Sequence, residues 1–335
     1  MSTLLAQIAP QRSAQYAELA SHLAPHELAL SPAGAKLRAI TPLELAGQPY
    51  LKLDLSEPLA PAELRELGGL ATLGGVFDCV DRFGGEEGPW LRPRETGFAF
   101  ALPYDLVVTR RYRGKTNELF THFLCNVARF SSAFAAKPWR DLRVCDPLAG
   151  GGTTLFMALV LGAQAAGVEH DDQDVTTTAA FLRDYLRQAG IACELREERF
   201  KGLGRRWSFA IGRQRAGNLE PQQCILALGD TAQSAALLPG FRPHLVVTDL
   251  PYGVQHEGQV PRLLATALPV WASMLPPGGV LALAWDATRF SRERMIDQMA
   301  TVPGLAVLSQ PPYDALAHRV DRVIKRRDVL VARRL

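Results

Sequence analysis

Residues 143–154, Arg-Val-Cys-Asp-Pro-Leu-Ala-Gly-Gly-Gly-Thr-Thr, constrain this chain more than any other stretch. Leu142, Val144 and Cys145 make a short apolar run bounded by charge, the pattern of a buried parallel strand. Asp146 and Pro147 end it, and Gly150, Gly151 and Gly152 form a loop whose backbone can approach a ligand closely. Thr153 is placed to cap a helix over 155–161, which Gly162 stops. Strand, glycine loop and helix together predict the first crossover of a doubly wound α/β sheet. Ligands of such sheets sit at the carboxyl ends of the strands.

Three cofactor classes use a loop of this kind, and the residues separate them. A phosphate-binding Walker loop needs a Lys before its Ser/Thr, where this chain has Gly152. A dinucleotide fingerprint wants a third glycine near position 155, which is Leu155. An acidic residue closing the strand suits S-adenosylmethionine (SAM) instead. That cofactor has a cationic amino-acid end and no phosphate, so the carboxylate of Asp146 is welcome there.

A second stretch, Leu-Val-Val-Thr-Asp-Leu-Pro-Tyr-Gly at 245–253, is another apolar strand, ending in Asp249, Leu250, Pro251 and Tyr252. It resembles the Asp/Asn-Pro-Pro-Tyr motif of methyltransferases that act on amino groups attached to flat rings. The chemistry asks for such residues, because the lone pair of a base's exocyclic amine is delocalised into the ring. A carboxylate and a backbone carbonyl can hold its two N–H bonds and turn the lone pair toward a methyl donor. An aromatic ring stacks on the base, worth roughly 1–3 kcal/mol.

Other strand ends supply further candidates. The strand near 165–171 offers Glu169 for the ribose hydroxyls, in preference to Asp171. The strand at 224–230 offers Asp230 as an acceptor for an adenine amino group. A fifth strand is expected at 280–285, and a helix at 289–300 with strands at 305–308 and 329–332 closes the domain as an edge hairpin. Two clusters of cations stand out: Arg110, Arg111, Arg113 and Lys115 around one tyrosine, and Lys201, Arg205 and Arg206 among Phe200, Trp207 and Phe209. Both suit phosphate contact, the second with base stacking; a solvated loop and a plain surface insertion are the other readings.

The net charge of +3 on 335 residues permits a nucleic-acid partner without demanding one. Five cysteines form no C-x-x-C pair and no His/Cys ligand spacing, so a reduced, cytoplasmic protein without a metal is expected. No apolar run approaches the ~20 residues of a membrane span. Residues 1–105 read as a smaller α+β domain, with a helix at 11–23, strands at 50–55 and 74–80, and a helix at 61–70. Residues 98–108 read as extended, leading to a helix at 118–129.

With Asp146, Pro147, Gly150, Gly152 and Thr153, then Glu169, Asp230 and 249–253 in this order, the region 106–335 resembles the class I SAM-dependent methyltransferases. Within them it is most similar to the RNA guanine-N2 enzymes often joined to a THUMP domain, although 1–105 shows no THUMP pattern. The segment 112–117 with Phe120 and Thr121 resembles the approach helix of that group. The resemblance implies a Rossmann-like, seven-stranded, mostly parallel sheet, SAM as cofactor, no metal, and an RNA substrate such as tRNA. Asp249, Leu250, Pro251 and Tyr252 would be catalytic. Asp146, Pro147, Gly150, Gly152, Thr153, Glu169, Asp230 and Asp249 would bind the cofactor, and Arg110, Arg111, Arg113, Lys115, Arg205 and Arg206 the nucleic acid. A DNA adenine-N6 or cytosine-N4 methyltransferase, or one acting on a small molecule or a protein glutamine, remains open.

Overall fold

The computed structural model describes residues 2–11, 14–112, 114–212, 220–251, 259–320 and 325–335. They form two compact units: Met1–Ala99 with Gln310–Arg326, and Phe100–Ser309 with Arg327–Leu335. The division falls at 99/100 rather than 105/106. A late excursion of the chain also joins the first unit, which no local sequence signal announces.

The first unit contains a five-stranded antiparallel sheet, β1 (Ser2–Ile8), β2 (Leu37–Leu45), β3 (Gln48–Leu55), β4 (Leu73–Phe83) and β5 (Glu86–Pro93), in the order β2-β3-β1-β4-β5. Helices α1 (Ala14–Leu30) and α2 (Pro61–Gly68) complete it. Alternation in β3 buries Leu51, Leu53 and Leu55 on one face, the period-2 signature that makes it readable. The carboxylate of Glu27, fully buried, accepts from the Ala71 and Thr72 amides at 3.0 Å each and ties α1 to the entry of β4.

The second unit is built on β6 (Arg143–Asp146), β7 (Gln164–Glu169), β8 (Cys193–Phe200), β9 (Gly204–Ile211), β10 (Gln222–Leu228), β11 (Leu245–Asp249), β12 (Val280–Asp286), β13 (Leu305–Leu308) and β14 (Arg327–Arg334). Their order is β13-β14-β12-β11-β6-β7-β10-β9-β8. The five strands β12, β11, β6, β7 and β10 run parallel, and β14 and β13 form the expected hairpin at one edge. These seven have the count and the mostly parallel character that the resemblance implied. The sheet nevertheless has nine strands, because 193–211 is an antiparallel hairpin that extends its other edge. That stretch reads as an irregular insertion because cations and acids interrupt its apolar period.

The helices of this unit are α3 (Asp105–Thr109), α4 (Glu118–Ser131), α5 (Thr153–Leu161), α6 (Asp172–Gln188), α7 (Ser234–Leu237), α8 (Gln259–Met274) and α9 (Arg292–Ala300). Asp105–Thr109 is thus helical, where the apolar run suggests extended chain; Leu106 and Val107 go into the core as successive residues of a short turn. Every residue of α5 is buried, so its sequence lacks a polar face. In α6 the buried residues Val175, Thr178, Ala179, Leu182 and Leu186 recur at helical spacing. Leu264, Leu268, Trp271, Met295 and Met299 from α8 and α9 pack on Cys145, Val246, Leu281 and Leu283. Among the described residues no helix is long and apolar enough to cross a membrane.

Candidate active site

Strand order decides where a ligand can sit. The chain builds outward from β6 through β7 to β10, then returns to the other side of β6 to lay down β11 and β12. In open α/β sheets a reversal such as that between β6 and β11 is where ligands bind, outside the carboxyl ends of the strands. Asp146 closes one of these strands and Asp249 the other. The register aligns Val246 with Cys145, so Asp249 stands two residues beyond the level of Asp146, about 7 Å further along. Glu169 is likewise two residues beyond Gly167, the partner of Asp146 on β7. Leu228 on β10 aligns with Glu169, and Asp230 follows it. The four acidic candidates therefore share one edge of four adjacent strands.

Asp146 is buried, and burial pushes its carboxyl up to about 6. The hydroxyls of Thr248 and Thr154 and the Leu148 amide, which donates at 3.1 Å, oppose that shift, and the nearby charge of Asp249 adds to it. A buried carboxylate in such a place, when ionised, favours a cationic guest. Pro147 is buried behind it.

The glycine loop is shaped by steric necessity. Gly152 has φ +86°, and a Cβ there would stand 2.8 Å from Thr178 Cγ2. Gly150 has φ +48° with open space around it. Gly167, on β7 beneath the loop, is equally required, since a Cβ would lie 2.8 Å from Ala149 Cβ. Gly152, not Thr153, is the N-cap of α5. Thr153 enters the first turn and its hydroxyl instead meets the Tyr112 phenol at 2.5 Å. The Tyr112 ring lies against Gly151, so close that a Cβ on that glycine would overlap it. In the sequence Tyr112 stands out as part of a basic run and as the start of the approach segment 112–117; the fold makes it the cover of the loop.

Glu169 knits the loop to its own strand end. Oε2 accepts from the Gly150 amide at 2.9 Å, and Oε1 from the His170 and Asp171 amides at 2.8 and 2.9 Å. A carboxylate offers about four acceptor positions, so Oε2 keeps geometry for a hydroxyl donor beside Gly150. Asp171 caps α6 by accepting from Asp174. Asp230 is exposed and accepts from the Ala232 amide at 2.8 Å, capping the turn after β10.

Asp249 is held from two sides. Thr116 Oγ1 donates to Oδ2 at 2.8 Å, and Arg327 Nη2 stands 3.3 Å from the same oxygen. Leu250 is buried and its amide donates to the Ala284 carbonyl at 2.8 Å, which fixes the strand end against β12. Pro251 is exposed. Tyr252 lies outside the described residues, as does Arg113.

Four of the described candidate cations are engaged by the protein itself. Arg110 donates to the Gly151 carbonyl at 2.9 Å, to the Thr178 hydroxyl and to Thr177 at 3.1 Å, so it ties the loop to α6. Lys115 donates to the Val107 carbonyl at 2.7 Å and pairs with Glu118. On β9, Arg205 pairs with Asp172 and lies over the Trp207 ring, while Arg206 pairs with Glu198 at 2.5 Å and covers Phe200. Of the six candidate phosphate-binding residues, Arg111 is the described one that faces solvent without such a partner.

No family model and no curated protein matches the chain. Solved structures do match. TrmN from Thermus thermophilus is 13% identical, with all of both chains covered and a TM-score of 0.40. The rRNA methyltransferase aviRa from Streptomyces viridochromogenes is 19% identical over 68% of this chain and 91% of its own, at 0.39. An rRNA methylase from Streptococcus thermophilus is 11% identical over 59% and 92%, at 0.36. Among the described residues, no group of three or more His, Cys, Asp or Glu could hold a metal.

Proposed function

We propose that the protein is a SAM-dependent methyltransferase acting on an exocyclic amine of a nucleic-acid base, with guanine N2 of an RNA such as tRNA as the favoured acceptor. The observation that carries this reading is the placement of Asp249 beside the glycine loop, across the switch point from Asp146. The groups present fit SAM. Asp146 is a buried carboxylate suited to an ammonium, Gly150 is half-buried with open space around it, and Glu169 is an acceptor suited to hydroxyl groups.

When bound, SAM supplies a methyl group on a positively charged sulfur, already a good leaving group. The protein's part is to hold the acceptor. The Asp249 carboxylate and the Leu250 carbonyl accept the two N–H bonds of the amine and leave its lone pair facing the cofactor side. Once methylated, the amine carries a proton in excess, and the Asp249 carboxylate that holds it would be the base to receive that proton. Positioning and exclusion of water supply most of the rate. A base within a duplex must first be turned out of the stack.

One observation favours a second reading, an amine or amide on a smaller substrate. Arg110, Lys115, Arg205 and Arg206 are matched by acceptors within the protein, so the electrostatic case for a polyanion is thinner than the sequence suggests. Labelled SAM incubated with bulk tRNA, rRNA, DNA and protein separates the two. Label in N2-methylguanosine from RNA, lost in folded Asp249→Ala that still binds SAM, is the expected result. Label confined to protein or to small amines would replace the RNA reading, and full transfer by Asp249→Ala would remove the role of that residue.

A further inference from the structure

Arg327 is the first residue of β14, where the chain re-enters the second unit after 310–326. Its neighbours Lys325 and Arg326 are exposed, as a basic run usually is. Arg327 is not. Its side chain is 5% exposed and lies against the Asp249 carboxylate, itself 10% exposed. The guanidinium also covers the Phe120 ring of α4, 4.5 Å from its centroid.

The register shows why an arginine is needed. Arg327 pairs with Asp286 on β12, and Asp249 on β11 pairs with Ala284 on the same strand. The two backbones are thus separated by one intervening strand, about 10 Å at the usual spacing. A long side chain must cross the end of β12 to reach Asp249. Thr116, immediately before the α4 cap Asn117, reaches the same carboxylate oxygen from a second direction. Burying an ion pair gains little net stability, because desolvation offsets the attraction. The arrangement has more value as orientation, since two donors on one oxygen fix the carboxylate plane.

We propose that Arg327, with Thr116, is a positioning residue that aims the Asp249 carboxylate at the acceptor amine. This rests on the reading that Asp249 holds that amine. In this role Arg327 acts through Asp249, the carboxylate it lies against. An alternative physical role, a cation that occupies the carboxylate until an acceptor displaces it, makes the opposite prediction for rate.

The test compares Arg327→Met, Arg327→Lys, Thr116→Val and Thr116→Ser in the full chain. Calorimetry gives SAM affinity, and single-turnover methylation of the acceptor identified for the parent gives the rate. Arg327→Met should lower the rate about 100-fold, the cost of an ångström-scale misplacement. Arg327→Lys should recover part of that loss, since it restores the charge but not the full reach. Thr116→Val should lower the rate about tenfold, the scale of one hydrogen bond, and Thr116→Ser should keep it. SAM affinity should stay at the parent value throughout. If Arg327→Met fails to fold, the Thr116 pair decides the matter: equal rates for Val and Ser overturn the proposal. Faster transfer in Arg327→Met would overturn it in favour of a displaced cation, and a parallel loss of SAM affinity would make the role merely structural. A parent that methylates no acceptor class while binding SAM removes the reading of Asp249 and this proposal with it; an active parent with indifferent variants removes the proposal alone.

Discussion

Replacing Gly152 with alanine tests the glycine loop at its tightest point. The residue has φ +86°, and the left-handed region costs a residue with a Cβ about 1–2 kcal/mol. The added methyl would also stand 2.8 Å from Thr178 Cγ2. Thr178 is fully buried and cannot turn away cheaply, because its hydroxyl donates to the Asp174 carbonyl at 2.6 Å and accepts from Arg110. Overpacking at such a place typically costs about 1–3 kcal/mol. The two contributions predict a loss of about 2–5 kcal/mol for Gly152→Ala. They can be separated: Thr178→Ser deletes Cγ2 while keeping the hydroxyl, so the double variant should recover the packing part and retain the backbone part. Urea unfolding followed by circular dichroism measures stability, and calorimetry measures SAM affinity, which should fall in the single variant and recover partly in the double. A single variant as stable as the parent, or a double variant no better than the single, would refute the reasoning.

Three other outcomes are expected. Asp146, pushed up to about 6 by burial, must be ionised to receive an ammonium, so SAM affinity should level off about one unit above that pH and fall by up to about tenfold per unit below it; titrations of Asp146→Asn should lose that dependence. For folding the sign runs the other way: with its pKa raised above 3.8, Asp146 contributes stability at low pH that disappears as pH rises through about 6. His244 accepts from the Arg143 amide at 3.1 Å, and burial, with the charges of Arg143 and Lys137, holds it down at about 4. It contributes stability that is complete above pH 6.5 and is lost as pH falls toward 4, so His244→Gln should flatten the acid limb of a stability–pH profile. Finally, if the protein binds RNA, Arg111→Gln and Lys201→Gln should each lower the salt slope by roughly 0.7–0.9 for the phosphate that the cation would have neutralised. Arg205→Gln and Arg206→Gln should leave it unchanged, because their charges are already matched by Asp172 and Glu198; a slope equally reduced by the β9 pair would show those ion pairs opening to phosphate.

The sequence alone determined what neighbouring residues can decide. An apolar run, an acid and three glycines specify strand, loop and helix, because φ preferences and side-chain period are properties of a few consecutive residues. In this way β6, α5, β7, β10, β11 and the β13–β14 hairpin were legible, and so was the presence of an acid at the end of each strand on the site edge. Local pattern failed where partners are distant or period is interrupted. The β8–β9 hairpin alternates charge with aromatic residues, and it becomes a pair of strands only because β10 offers it an edge. Thr153 looked like a cap, yet Gly152 takes that place because only it accepts the positive φ at the helix entry. Lys115, Arg205 and Arg206 looked available to phosphate, yet folding brings an acid to each. Arg327 carried no signal, and Thr116 stood out only within the approach segment 112–117, since their meaning is a shared approach to Asp249, from 133 residues away in one case and from across β12 in the other. Which side chains meet at a strand end is set by sheet order and register, and those arise only when the whole chain has closed its core.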